Sequence, residues 1–363
     1  MRLPLSLLAL LVVTLVAVGS GIAASTAGPR IGGCTVFPAD NAWNRDVSHD
    51  PVDPRSAAYL RSMGSGLRLH PDFGSGIAAP AAGPRIGGCT VFPADNAWNR
   101  DVSHDQVDPR SAAYLRSMGS GVRLHPDFGS GRYGNYGIPI TVASSTQPAR
   151  RLHFSDYPNE SDRVAYPIPA KARVEGGGAG GDRHVLVVQR RRCRLYELYG
   201  ARRENGRWVA SNGAVWNLAS NRLRPKGWTS ADAAGLPIAP GLARPDEASA
   251  GAIRHALRFT AARTQRAYVA PARHFASSDR DPDLPPMGMR VRLKASFNLG
   301  GYHGQSLAIL RALKTYGMLL ADNGSNWYIS GAADKRWNDQ DIEQLKRVPA
   351  AAFEVVQSGP LTR

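Results

Sequence analysis

The chain of 363 residues contains three cysteines, lysine only at positions 171, 226, 294, 314, 335 and 346, and no long apolar run after its first segment. Each scarcity narrows the field. Without a second apolar stretch of about 20 residues, nothing beyond residue 18 is expected to span a bilayer. No Cys-x-x-Cys or His-x-x-x-His spacing occurs, so no metal site is expected. The lack of a Gly-x-Ser-x-Gly elbow and of a His-Glu-x-x-His helix sets aside the common serine hydrolases and zinc proteases. A glycine-rich run from 176 to 181 lacks the Lys-Ser/Thr ending of a phosphate loop and precedes a predicted strand. No nucleotide or other cofactor is expected.

What is present begins with an export signal. Met1 and Arg2 supply a positive start, residues 3–18 are apolar and uncharged, and small residues follow to Ala27. Ser25 and Ala27 occupy the −3 and −1 positions of a cleavage site, so residues 1–27 are expected to be a secretory signal peptide. An uncleaved anchor is the alternative reading. The mature protein is expected to be secreted, extracellular or in the cell envelope, with no membrane association after cleavage. Its 45 basic residues outnumber 29 acidic ones, a net charge of +16. Such a surplus draws an exported protein to polyanions, and an anionic polysaccharide or cell-wall polymer is the expected partner. With no recognised nucleic-acid motif, no specific nucleic-acid partner is expected.

Internal comparison shows a duplication. Residues 19–73 recur as 74–128, and between 28–73 and 83–128 only Pro51/Gln106 and Leu67/Val122 differ. The second copy joins the rest of the chain directly. Residues 83–363 are therefore read as one β-rich domain, and 28–82 as a redundant, loosely ordered copy. A tandem binding repeat is the alternative, although arrays usually need three or more units. Cys34 and Cys89 are one position seen twice, leaving Cys193 as the only other cysteine. A Cys89–Cys193 disulfide is expected, with Cys34 the spare thiol.

Along the chain, Asp108-Pro109 opens a predicted helix ending at Met118, before Gly119. Gly, Pro and Ser clusters then separate short apolar or alternating runs, predicted as strands at 138–142, 184–189, 194–199, 208–216, 252–260, 266–270 and 289–295. Segments 318–321 and 327–330 flank Asp322-Asn323-Gly324-Ser325, a hairpin signal. Helices are predicted at 306–315 and 339–347. This pattern gives a mainly β chain, an antiparallel β-sandwich or jelly roll with a few short helices. The irregular stretch 218–245 is too long for a mere connection and is expected to be functional. Phe92-Pro93-Ala94-Asp95-Asn96-Ala97-Trp98-Asn99, the 227–237 stretch, Pro285-Pro286-Met287-Gly288-Met289-Arg290-Val291-Arg292-Leu293-Lys294 and segment 316–331 resemble blocks of a family of secreted bacterial proteins with no established activity. The resemblance runs from about Cys89 onward. It implies one continuous domain and no catalytic residue.

Period-two alternation places Arg254 and Arg258 on one side of strand 252–260. It likewise sets Arg290, Arg292 and Lys294 opposite Met289, Val291 and Leu293. These five cations are expected to gather on one anion-binding face. Like charges on neighbouring strands repel, so such a face needs acidic partners or a bound anion. His255, on the apolar side, is expected to be buried and hydrogen bonded. His274 is a candidate general base. Asp232, Asp246, Glu247 and Asp322, in loops, are candidate catalytic carboxylates, because glycoside hydrolysis needs two carboxyls facing each other across a sugar. Trp228 and Trp327 are candidate aromatic platforms. Asp182 and His184, in one Asp-Arg-His tripeptide, fall short of a metal signature. The expected activity is on an extracellular polysaccharide, an acidic or cell-wall glycan, by lyase or hydrolase chemistry. The alternative is a noncatalytic wall- or matrix-binding protein that uses the basic face.

Overall fold

The computed structural model describes residues 30–31, 34–37, 41–63, 83–178 and 180–363. The expected signal peptide lies outside them. The chain divides into two units, 1–74 and 75–363.

The second unit is mainly β and sandwich-like, with mixed sheets. Its largest sheet has the order Phe353–Val355, Arg290–Leu293, Met318–Asn323, Leu257–Ala261, Tyr328–Ser330, His125–Asp127. The Leu257–Ala261 strand runs parallel to Met318–Asn323 and antiparallel to Tyr328–Ser330. The predicted hairpin is therefore absent: its two arms flank a third strand instead of pairing. A second sheet orders Asn212–Asn217, Arg194–Tyr199, Val185–Gln189 and Ile140–Ala143. A smaller one joins Arg202–Glu204, Arg207–Ala210 and His153–Phe154, so the predicted strand 208–216 is split between two sheets at Ser211. Segment 266–270 forms only isolated bridges, through Tyr268.

Covered faces explain the strand sequences. Val185–Gln189 is buried at every position because Leu186 and Val188 enter the main core while Val185 and Val187 enter a second one with Phe154 and Tyr166. Arg290–Leu293 is also fully buried: Val291 and Leu293 face the core, and Arg290 and Arg292 lie beneath residues 97–102. The helix Gly304–Thr315 buries Ala308, Ile309, Leu310, Ala312 and Leu313 and packs beside that strand. It ends before Gly317, whose φ of 65° and close approach to the Val291 carbonyl leave no room for a side chain. The Cys89–Cys193 disulfide is present, with Cα atoms 5.3 Å apart, and ties the start of this unit to the turn before Arg194–Tyr199.

The duplicated sequence adopts similar local structure in both units. The first copy pairs Arg30–Ile31 with Cys34–Thr35 and forms a helix, Ser56–Met63, with no buried residue. The second pairs Arg85–Ile86 with Cys89–Thr90 and forms Ser111–Ser117, which buries Tyr114 and Leu115. Trp43 is 85% exposed, whereas its counterpart Trp98 is 2% exposed. Local propensity makes the turns and the helix. Burial requires the rest of the domain.

Candidate active site

A register shift in the largest sheet builds the site. Leu257, Arg258 and Phe259 pair with Met318, Leu319 and Leu320, but Thr260 pairs with Asp322, leaving Ala321 as an extra residue. Side chains alternate along a strand, so one extra residue turns Asp322 onto the face that Arg258 occupies. The Ala321 carbonyl accepts from the Ala234 amide at 2.9 Å, which docks the 229–236 loop on this face. Within that loop Ser230 Oγ donates to the Asp232 and Leu236 carbonyls at 2.9 and 2.6 Å, and the Asp232 amide donates back to Ser230 Oγ. Glu197, fully buried, receives Trp216 Nε1 and the Ile238 and Ala239 amides and fixes the end of the loop. Burial pushes the Glu197 carboxyl up to about 7, against these hydrogen bonds.

Asp232 is thereby pressed onto Arg258. The guanidinium donates to both carboxylate oxygens, Nη2 at 2.6 Å and Nε at 3.1 Å, and its Nη1 donates to Ser330 Oγ at 2.6 Å. Both partners are buried. Asp322 lies 3.8 Å from Arg258 Nη2 and is hydrogen bonded to Asp232, and its side chain remains 22% exposed. Burial, then the Asp232 charge, push the Asp322 carboxyl up to about 8 despite Arg258 and His184. It carries a proton at neutral pH.

His184 closes the neighbouring corner. Its Nδ1 lies 2.6 Å from Glu175 Oε2 and its Nε2 donates to the Ala231 carbonyl at 2.9 Å. Burial would lower its pKa, but the hydrogen bond and charge of Glu175 raise it to about 9, so the ring is an imidazolium donating from both nitrogens. Asp127, paired in register with Ser330, stands on the same face of the sheet, half-buried. Burial raises its pKa, with His125 opposing and Glu175 reinforcing the shift.

Charge accounting distinguishes these carboxyls. Arg258 is taken by Asp232, and His184 by Glu175. Asp322 and Asp127 have no cation of their own, and both are held toward the protonated form and remain partly open to solvent. A surplus, raised carboxyl beside a fixed ion pair is the arrangement that general acid catalysis uses. A cavity of about 750 Å3 lies next to Glu175, and none of these carboxyls lines it. Its wall includes Val174 and Gly176 on either side of Glu175, together with Tyr136, Arg173, Lys335 and Arg336. Among the described residues no cluster could hold a metal ion.

The structure thus brings Asp232, Asp322 and Arg258 together from separate segments and does not assemble the expected basic face. Arg254 is exposed, away from the buried stretch of its strand. Arg290 donates to the Ala97, Arg100 and Tyr316 carbonyls, Arg292 to Glu354 and the Val102 carbonyl, and Lys294 to the Ala351 carbonyl. Alternation put these cations opposite the apolar residues correctly. The face they point to is covered by protein rather than water, because the strand is internal on both sides. Glu247 is engaged by Arg244 and His255 at 2.6 and 3.1 Å. His255 is buried and also contacts the Ala256 carbonyl. His274 Nδ1 donates to the Ala233 carbonyl at 2.8 Å, and its ring stacks on Phe275. Asp246 lies in the first turn of the short helix Pro245–Ser249.

Trp327 is no platform. It is fully buried, donates to the Met118 carbonyl and packs on Phe259 and Phe353. Trp228 is half-buried under Arg224, whose guanidinium lies 5.4 Å from its ring. Glu175, Asp127 and Ser330 were absent from the sequence reading. Glu175 sits immediately before the glycine run, the one signal that pointed toward it.

No family model, curated protein or solved structure matches the chain.

Proposed function

We propose that this centre hydrolyses glycosidic bonds in an extracellular polysaccharide, with Asp322 as the proton donor to the leaving oxygen. The observation that carries the reading is a carboxyl kept protonated at neutral pH, fixed by the Asp232–Arg258 ion pair and still open to solvent. Asp127 is assigned as the base that activates water, acting in the ionised form that the charges of His125 and Arg258 favour against burial. Strand spacing of about 4.8 Å sets its backbone roughly 14 Å from that of Asp322, three strands away. A wide interval suits inversion better than the close carboxyl pair of a retaining enzyme. Glu175 and His184 hold the wall between them. Arg173 and Lys335 around the cavity beside Glu175 favour an acidic glycan, Arg336 there being paired with Asp334. A disulfide-bonded fold agrees with a secreted protein.

Hydrolysis is favoured over lyase chemistry because Arg258, Arg290 and Arg292, meant to neutralise a uronate carboxylate, are buried against protein groups. The noncatalytic alternative loses its basic face for the same reason. The test is release of reducing ends from a panel of acidic and neutral glycans, with ultraviolet absorbance to detect unsaturated lyase products. Wild-type activity should persist below about pH 8 and fall above it as Asp322 ionises. Asp322→Asn should lose about 10²-fold or more. Absence of turnover on every glycan, or an active Asp322→Asn protein, rejects the assignment.

A further inference from the structure

We infer that the surface holding residues 83–128 is a receptor for either copy of the duplicated segment, so that one chain carries two ligands for one socket. In its second conformation the first copy would occupy the socket, and Cys34 would replace Cys89 as the partner of Cys193.

The second copy is held through groups that the first also has. The Phe92, Val102 and Leu124 amides donate to the Leu218, Thr315 and Val348 carbonyls at 2.7 to 2.9 Å, and Trp98 and Met118 are buried. Phe37, Val47, Leu69, Trp43 and Met63 are the same residues one repeat earlier. The two positions that differ spare the interface. Gln106 and Val122 are exposed and serve it through their carbonyls, which accept from the Gln357 and Ala350 amides, and Pro51 and Leu67 keep those carbonyls. Meanwhile the first copy leaves Trp43 and Met63 in solvent, and Cys34 is an exposed free thiol.

The covalent step needs no oxidant. Cys34 thiolate attacks Cys193 Sγ, the Cys89–Cys193 bond breaks, and Cys89 leaves as thiolate, so one disulfide and one thiol persist throughout. Occupancy by the first copy obliges the 55-residue second copy to loop out. The three-halves-power scaling of loop closure makes this state roughly 400-fold rarer in the wild type. Truncating a buried tryptophan disfavours a docked segment by roughly 10² to 10⁴-fold, and losing the disulfide adds to that. Damage to the second copy should therefore invert the preference. Tethering favours exchange within one chain over exchange between chains.

The experiment uses the full chain carrying Cys89→Ser and Trp98→Ala, its two remaining thiols oxidised by glutathione disulfide, which is reduced to glutathione, followed by non-reducing peptide mapping and thermal unfolding. The expected result is a monomer with a Cys34–Cys193 disulfide and a melting temperature lowered by about 5–10 °C by the looped-out copy. Adding Trp43→Ala should abolish the rescue, whereas Cys34→Ser alone should leave the wild-type transition unchanged. An alkylatable Cys34 with free Cys193 overturns the inference. So does a disulfide-linked dimer, or equal instability with and without Trp43→Ala. As a second measurement, Cys89→Ser alone should accumulate some Cys34–Cys193 disulfide on incubation with glutathione disulfide, and none at all would overturn it equally.

Discussion

Replacing Asp322 by Asn should stabilise the protein, and by an amount that grows with pH. In the folded chain the Asp322 carboxyl is raised from 3.8 to about 8, so the native state holds a proton that the unfolded state releases near pH 4. Folded stability should therefore fall as pH rises between those values, at about 1.4 kcal/mol per pH unit for this group. Asn matches the shape of the protonated acid and can donate to Asp232 as the acid does, but it has no proton to lose. At pH 4 the two proteins should be close in stability. By pH 7 the variant should be ahead by about 2–4 kcal/mol, after about 1 kcal/mol is allowed for a poorer hydrogen bond. A domain's total stability is typically about 5–15 kcal/mol, so the gain is easily resolved. Urea unfolding at half-unit steps from pH 4 to pH 8, for both proteins, measures the difference directly and cancels every other titrating group. A difference that stays flat across the range refutes the reasoning, as does a variant less stable than wild type at pH 8. The same substitution should abolish catalysis, so stability and activity should move in opposite directions.

Two further outcomes test the ion pairs. Arg258→Leu leaves Asp232 buried without a counter-charge and should cost about 3–5 kcal/mol in chemical denaturation, while adding Asp232→Asn to it should recover part of that loss. His184 has a folded pKa of about 9 against an ordinary 6.5, so its stabilisation is complete below pH 6.5 and is lost as pH rises to 9. The stability gap between wild type and His184→Gln should accordingly shrink by about 3 kcal/mol over that interval, and a constant gap contradicts the assigned imidazolium.

The sequence exposed chemistry more readily than placement. Cysteine counting identified Cys89–Cys193 because the repeat made Cys34 redundant. Punctuation by Gly, Pro and Ser marked most strands and the mainly β class. Asp232, Asp246, Glu247 and Asp322 stood out alike as loop carboxylates, although Asp322 lies in a strand and Asp246 and Glu247 in a short helix. Which faces of Arg258, Arg290 and Arg292 met solvent was illegible, since a two-residue period separates two faces without saying what covers each. The loop of residues 229–236 covers one strand and residues 97–102 the other. The failed hairpin has a related cause. Local residues between 321 and 327 favour a turn, but a strand some sixty residues earlier in the chain fits between the arms. Ser330 carried no local signal and Glu175 only the glycine run beside it, because their meaning comes from His184 and Arg258, their partners across the fold.

The unpaired Ala321 implies that this site is specified by counting as much as by chemistry. Were Ala321 to pair with Thr260 in an unbroken ladder, every acid, base and cation would remain in the chain, yet Asp322 would fall on the far side of the sheet. The proposed proton donor therefore depends on where one pairing is skipped, a feature that no inventory of side chains records.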